Sequence, residues 1–231
     1  MNTIVEPQKQ ENEFREQFWN ISKAETFQME MDKLWSSIRS KLSDEKQKTF
    51  MICSASLNEG NTTVTAGLAN FVALSTGMDV LIVDAHCKGN RLSDIWEHGV
   101  LVPLIEEPHD QYSLTFGEYE TDVPNLRLLA FRNPGALETT VVNNQEMSTF
   151  MNIVLGRYDY IFIDAPPLLD SNIGSFLARH IDKVIFVIAA SNRPIPLLKD
   201  ALSRLETSRE RVMGAVINKR EHPIPGYIYR I

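Results

Sequence analysis

The chain has 231 residues, 43% hydrophobic and 23% charged, which suits one α/β domain with a substantial core plus an arm. A net charge of −7 argues against a surface that coats nucleic acid. Two cysteines, Cys53 and Cys87, with no CxxC and no Cys/His zinc spacing, point to a reduced, cytosolic chain.

In chain order, residues 1–27 read as a polar N-terminal arm whose acidic start lacks the apolar core of a secretory signal. Residues 28–48 read as an N-terminal helix and linker, since Met31, Leu34, Trp35, Ile38 and Leu42 recur at helical spacing before a charged run. Residues 49–220 read as the main domain, and 221–231 as a C-terminal tail. The domain opens on the strand-type run Phe50 to Cys53. It continues with a helix marked by Val64, Leu68, Phe71 and Val72 that Gly77 ends. Asp79 to Ala85, DVLIVDA, is an apolar run closed by an acid, as expected of a parallel strand buried on both faces. The region from Trp96 to Pro124 is weakly patterned, and small helices and loops are expected there. Leu126 to Phe131 follows as a strand, then the turn Asn133-Pro134-Gly135 and a helix marked by Met147, Met151, Val154 and Leu155. YIFID at 160–164 is a second acid-tipped strand, stopped by Pro166 and Pro167. A helix near 171–180, a strand Lys183 to Ala190, a helix from Pro196 to about Ser208 and a strand Val212 to Asn218 complete the alternation. The longest apolar run, Val184 to Ala190, is strand-sized, so no direct membrane insertion is expected.

Strands alternating with helices predict a doubly wound, mainly parallel sheet with an N-terminal helical arm. Ligands of such sheets bind at the carboxyl ends of the strands, which places Asp84, Asp164 and the loop after Cys53 at one edge. That loop, SASLNEGNTT, has the order strand, tight turn, helix start that makes a phosphate-binding P-loop of pattern G-x-x-x-x-G-K-[ST]. Ala55 takes the first glycine position, Gly60 the second and Thr62 the hydroxyl position. Asn61 stands where the lysine belongs. Asn58 is a residue able to visit left-handed turn conformations. Backbone N–H groups of Asn58, Glu59, Gly60, Asn61, Thr62 and Thr63 would still favour an anion. On the loop alone, a nucleotide site and a ligand-free junction are both open readings.

Four ordered motifs widen the view. SASLNEGNTT compares with SAxPGEGKST, VLIVDAHCKGNRL with a strand ending DADLRRPRL, and YDYIFIDAPPLLD at 158–170 with YDYVIIDTPPVLD; Gly214 to Asn218, GAVIN, completes the set. Over about residues 28–220 the chain resembles the bacterial tyrosine kinases (BY-kinases) of capsule and exopolysaccharide export. These belong to the Min/Par-type P-loop ATPases. The resemblance implies a P-loop NTPase-like fold and ATP or ADP with Mg²⁺. It implies Thr62, Asp84 and Asp164 as metal ligands, Asp84 and Asp164 as the acids of catalysis, and Asn218 as an adenine-contacting amide, a turn asparagine being the alternative. It also implies Tyr227 and Tyr229 as phosphate acceptors, with apolar tail contacts as the alternative. The partner implied is a membrane protein of the chain-length-determinant type, holding the chain peripherally at the inner membrane, with homo-oligomerisation through the helix left open.

The departures are as specific as the matches. Asn61 replaces the lysine, and His86 replaces the second acid of the Asp-x-Asp pair, while Asp84, Arg91 and approximately Lys88 are kept. His86 itself is expected to be an ordinary loop histidine. The E-x-x-R-x-x-R oligomer motif is reduced to Glu30, Lys33 and Ser36. A regulatory or assembly component with weak or no kinase activity is the expected function, an active tyrosine autokinase the alternative. A positioning ATPase is disfavoured because residues 55–61 contain no lysine.

Overall fold

The computed structural model describes residues 7–44, 46, 48–86, 92, 95–96, 101–103, 116–131, 144–190, 194–205 and 211–220. In chain order the helices are α1 (Pro7–Ser22), α2 (Glu25–Ser40), α3 (Asn61–Thr76), α4 (Asn144–Leu155), α5 (Ile173–Leu177) and α6 (Ile195–Ser203). The strands are β1 (Thr49–Ser54), β2 (Val80–Asp84), β3 (Leu101–Pro103), β4 (Phe116–Glu120), β5 (Leu126–Phe131), β6 (Tyr160–Asp164), β7 (Lys183–Ala189) and β8 (Val212–Asn218). They form one eight-stranded sheet in the order β3-β4-β5-β2-β6-β1-β7-β8. The run from β5 to β8 is parallel, and β3 and β4 continue it antiparallel.

Side chains of β1 alternate between two cores. Met51 and Cys53 face α4, α5 and α6 through Met147, Phe150, Leu177 and Ala201. Phe50 and Ile52 face α2 and α3 through Trp35, Leu68 and Val72. With apolar partners on both faces, a strand needs apolar residues at every position, hence the unbroken runs in the sequence. The Trp35 stripe belongs to this core: its ring meets Tyr160, Phe50 and Phe162 at centroid distances of 4.9, 6.2 and 6.2 Å. α3 ends at Gly77 as expected, in the left-handed conformation (φ 69°) with its N–H on the Ala73 carbonyl.

Two stretches differ from the sequence reading. The polar arm contains helix α1, which buries Phe18 and donates Trp19 Nε1–H to the Ile95 carbonyl at 3.0 Å. Phe18 and Trp19 both pack on Trp96, so tertiary docking rather than amphipathic patterning holds this helix. The region 96–124 supplies the short strands β3 and β4 where small helices and loops were expected. Glu118 on β4 is buried because Tyr158 Oη–H (2.6 Å) and Arg157 (3.0 Å) satisfy it from across the sheet. The 133–135 turn lies outside the described residues. Among those described, no helix is long and apolar enough to cross a membrane.

Candidate nucleotide site

Parallel register assembles the site. β6 lies between β1 and β2, pairing Ile52 with Asp164 and Asp84 with Asp164, so the two acids stand side by side at the strand tips. The Pro166-Pro167 turn is pinned beneath the loop by Leu168 N–H on the Ser54 carbonyl (2.9 Å) and Ala165 N–H on the Ile52 carbonyl (3.0 Å).

The loop between β1 and α3 turns through two left-handed residues, Asn58 (φ 62°) and Gly60 (φ 93°). The Asn58 conformation is the one expected from its residue type. Gly60 is required for space as well as conformation, since a Cβ there would fall 2.1 Å from Asn218 Nδ2. Asn218 donates that amide to the Glu59 carbonyl at 2.9 Å, and Lys219 Nζ donates to the Asn58 carbonyl at 2.6 Å. The Glu59 side chain is turned inward to backbone donors. Fully buried, it accepts the Ser56 N–H at 3.0 Å and the Ala189 N–H at 3.2 Å. Three groups from the ends of β7 and β8 thus hold the loop.

Helix α3 begins at Asn61, with Thr62 buried and Thr63 half-buried in its first turn. Asn61 Nδ2 donates to Asp164 Oδ1 at 3.0 Å and to the Ala165 carbonyl at 2.9 Å, and stands 3.4 Å from His86 Nε2. Thr65 Oγ1 donates to the Asn61 carbonyl at 2.8 Å and lies 3.5 Å from Asp164 Oδ1. His86 Nε2 is 3.3 Å from Asp164 Oδ2, within ion-pair range. The loop histidine of the sequence reading is therefore part of the cluster. The carboxylate of Asp84 accepts the His86 N–H at 3.0 Å and the Leu92 N–H at 3.3 Å. Burial, and secondarily the charge of Asp164 beside it, push the Asp84 pKa up to about 7 against the opposing pull of His86 and the two backbone N–H groups.

That shift has a measurable sign. The folded state keeps a proton on Asp84 that the unfolded chain loses near pH 4, so folding stability falls as pH rises from about 4 through about 7. Urea unfolding at pH 5 and pH 8 should show the wild type losing about 1–3 kcal/mol more than Asp84→Asn over that interval. Equal slopes would show that Asp84 is ionised throughout.

A magnesium ion asks for several free oxygens in octahedral array. The arrangement offers few of them. Asp164 Oδ1 faces Asn61 and Thr65 and the Asp84 oxygens accept backbone N–H groups, whereas Asp164 Oδ2 is buried without a hydrogen-bond partner, with His86 Nε2 3.3 Å away. Among the described residues no group of three or more His, Cys, Asp and Glu is placed to hold a metal. Of the metal-ligand roles expected for Thr62, Asp84 and Asp164, those of the two acids fall on carboxylates engaged at every oxygen but Asp164 Oδ2.

No protein-family model matches the chain. Over 199 residues it is 23% identical to the tyrosine-protein kinase CpsD of Streptococcus agalactiae, covering 85% of each chain. Its relatives are bacterial tyrosine kinases. The kinase domain of the Escherichia coli tyrosine kinase ETK shares the fold with a TM-score of 0.64 at 19% identity, over 84% of this chain and 77% of that one. The ATP complex of an McdA variant from Cyanothece shares it with a TM-score of 0.58 at 21% identity, over 74% and 70%. The resemblance to the tyrosine kinases read from four motifs is borne out, as is the P-loop fold.

Of the residues that the kinase resemblance singled out, the structure brings Asn58 to Thr63, Asp84, Asp164 and Asn218 to one edge of the sheet. Asn218 meets the loop backbone with its amide. Lys88, Arg91, Tyr227 and Tyr229 lie outside the described residues. Sequence reasoning passed over Thr65 and Lys219. Thr65 sits one helical turn after Asn61 and was legible as such, whereas nothing in the motif announces Lys219.

Proposed function

We propose that the chain is a regulatory or assembly component of capsule or exopolysaccharide biosynthesis, built on the tyrosine-kinase P-loop fold, with weak or no phosphoryl transfer. One observation carries this reading. The side chain at the lysine position is a neutral amide that donates to Asp164, so it brings no cation to a β/γ-phosphate. Phosphoryl transfer depends almost wholly on positioning and on stabilising charge, and here both the cation and one acid are gone. The nucleotide relatives of the fold support ATP or ADP as the ligand.

The partner in this reading is a membrane protein of the chain-length-determinant type, which holds a cytoplasmic chain at the inner membrane. Self-assembly is weak. Glu30 and Lys33 pair with each other on the exposed face of α2 at 2.7 Å, and a lysine lacks the bidentate fork of the arginine it replaces.

A phosphotyrosine assay tests the reading, with the activating domain of such a partner included. Wild type is expected at background. Asn61→Lys alone should restore little, and Asn61→Lys with His86→Asp more, because elements of one catalytic unit do not add. Robust wild-type phosphorylation abolished by Asp164→Asn would instead make the chain an active autokinase.

A further inference from the structure

A P-loop site usually meets the charge of its ligand twice, with the loop lysine and with a divalent metal. Here both devices are altered. The lysine is Asn61, and of the acids that would seat a metal only Asp164 Oδ2 is without a hydrogen-bond partner, Oδ1 facing Asn61 and Thr65 and Asp84 holding backbone N–H groups.

The same interactions shield the acids from an anion. Two buried carboxylates beside a polyphosphate would repel it unless neutralised or paired. Asp164 is covered by the Asn61 amide and flanked by His86, and Asp84 is held by two N–H groups. A metal is one way to make such a site tolerate phosphate. Internal pairing is another.

A cation stands on the opposite wall of the loop. Lys219 follows the last residue of β8 in a left-handed conformation (φ 53°) that an ordinary L-residue adopts only at a cost. That conformation turns its side chain back over the loop. Nζ reaches the Asn58 carbonyl at 2.6 Å, and Cε would lie 3.9 Å from a Cβ on Gly60. The ammonium is therefore positioned over the two turn residues of the phosphate loop. It is exposed on a flexible four-carbon stem, so it can exchange the carbonyl for a phosphate oxygen without giving up buried contacts.

We propose, resting on the nucleotide-site reading above, that the loop takes a nucleoside di- or triphosphate without a divalent cation and that Lys219 supplies the positive charge. Asn61 then remains on Asp164 as a shield, and the backbone N–H groups of the loop and of α3 complete the anion site.

Titration calorimetry with ADP on the nucleotide-stripped full chain, in excess Mg²⁺ and in EDTA, tests this. The dissociation constant should change by no more than about twofold on chelation. Lys219→Met should weaken ADP by about tenfold, the scale of one hydrogen bond to a charged group, whereas Lys219→Arg should stay within about threefold of wild type. Thermal unfolding of each variant reports on folding independently. Tightening by Mg²⁺ of tenfold or more would overturn the proposal. So would undiminished affinity in a folded Lys219→Met. Absence of ADP binding under every condition would also overturn it while leaving the non-catalytic regulator intact, whereas robust tyrosine phosphorylation strikes at that regulator reading alone.

Discussion

Trp35→Ala should lower the free energy of unfolding by about 3–5 kcal/mol, the range seen when a large buried aromatic is truncated. Trp35 is 4% exposed and forms the centre of the contact between α2 and the sheet, with Met31 and Ile38 buried on the same face. Its ring edge meets Phe50, Tyr160 and Phe162, which belong to two adjacent strands, so neither strand alone can move in to close the cavity. The indole Nε1–H is buried without a hydrogen-bond partner, and truncation relieves that penalty, which favours the lower half of the range. Trp35→Phe keeps most of the apolar volume and should lose clearly less. Guanidinium unfolding at fixed pH measures both. A loss under about 1 kcal/mol for the alanine variant would mean that α2 docks elsewhere.

Glu59→Ala has an expected cost of about 2–4 kcal/mol through a different route, because a part-buried and a buried backbone N–H group lose their acceptor at once. One belongs to Ser56 in the loop and the other to Ala189 at the end of β7, so the carboxylate is a brace between them. Glu59→Gln is a sharper probe. Its shape is retained, but one oxygen becomes an NH₂ that faces an N–H donor, and the loss should be intermediate. Hydrogen exchange at Ser56 and Ala189 should accelerate in both variants ahead of the remaining β1 and β7 amides. Unchanged exchange at those two positions would refute the brace even if global stability fell.

The acid-tipped strands were legible because a parallel strand covered on both faces writes itself as an apolar run, and the tips of three such runs fall at one edge of the sheet. The loop was legible for the same reason: Asn58 and Gly60 are residue types that tolerate the left-handed turns found there. Other parts depended on partners far away in sequence. Helix α1 carries few apolar residues, and its place is fixed by Trp96. Strand β4 contains a buried Glu118 that makes sense only beside Arg157 and Tyr158, 39 and 40 residues further along the chain. His86 looked like a loop residue because its type suits a loop, and only the register of β2 on β6 brings it against Asp164. Lys219 is recognisable only once β8 is known to end over the phosphate loop.

The fastening of the loop from β8 has a consequence for biosynthesis. Asn218 and Lys219 act on residues 159 and 161 positions earlier in the chain. Strand β1, which feeds the loop, also waits for β6 and β7 on its two sides. A ribosome that has translated as far as Thr63 has made every residue of the loop, yet none of the groups from β7 and β8 that fasten it has been made. The loop therefore stays unfastened in the nascent chain until β7 and β8 have been synthesised and have paired beside β1.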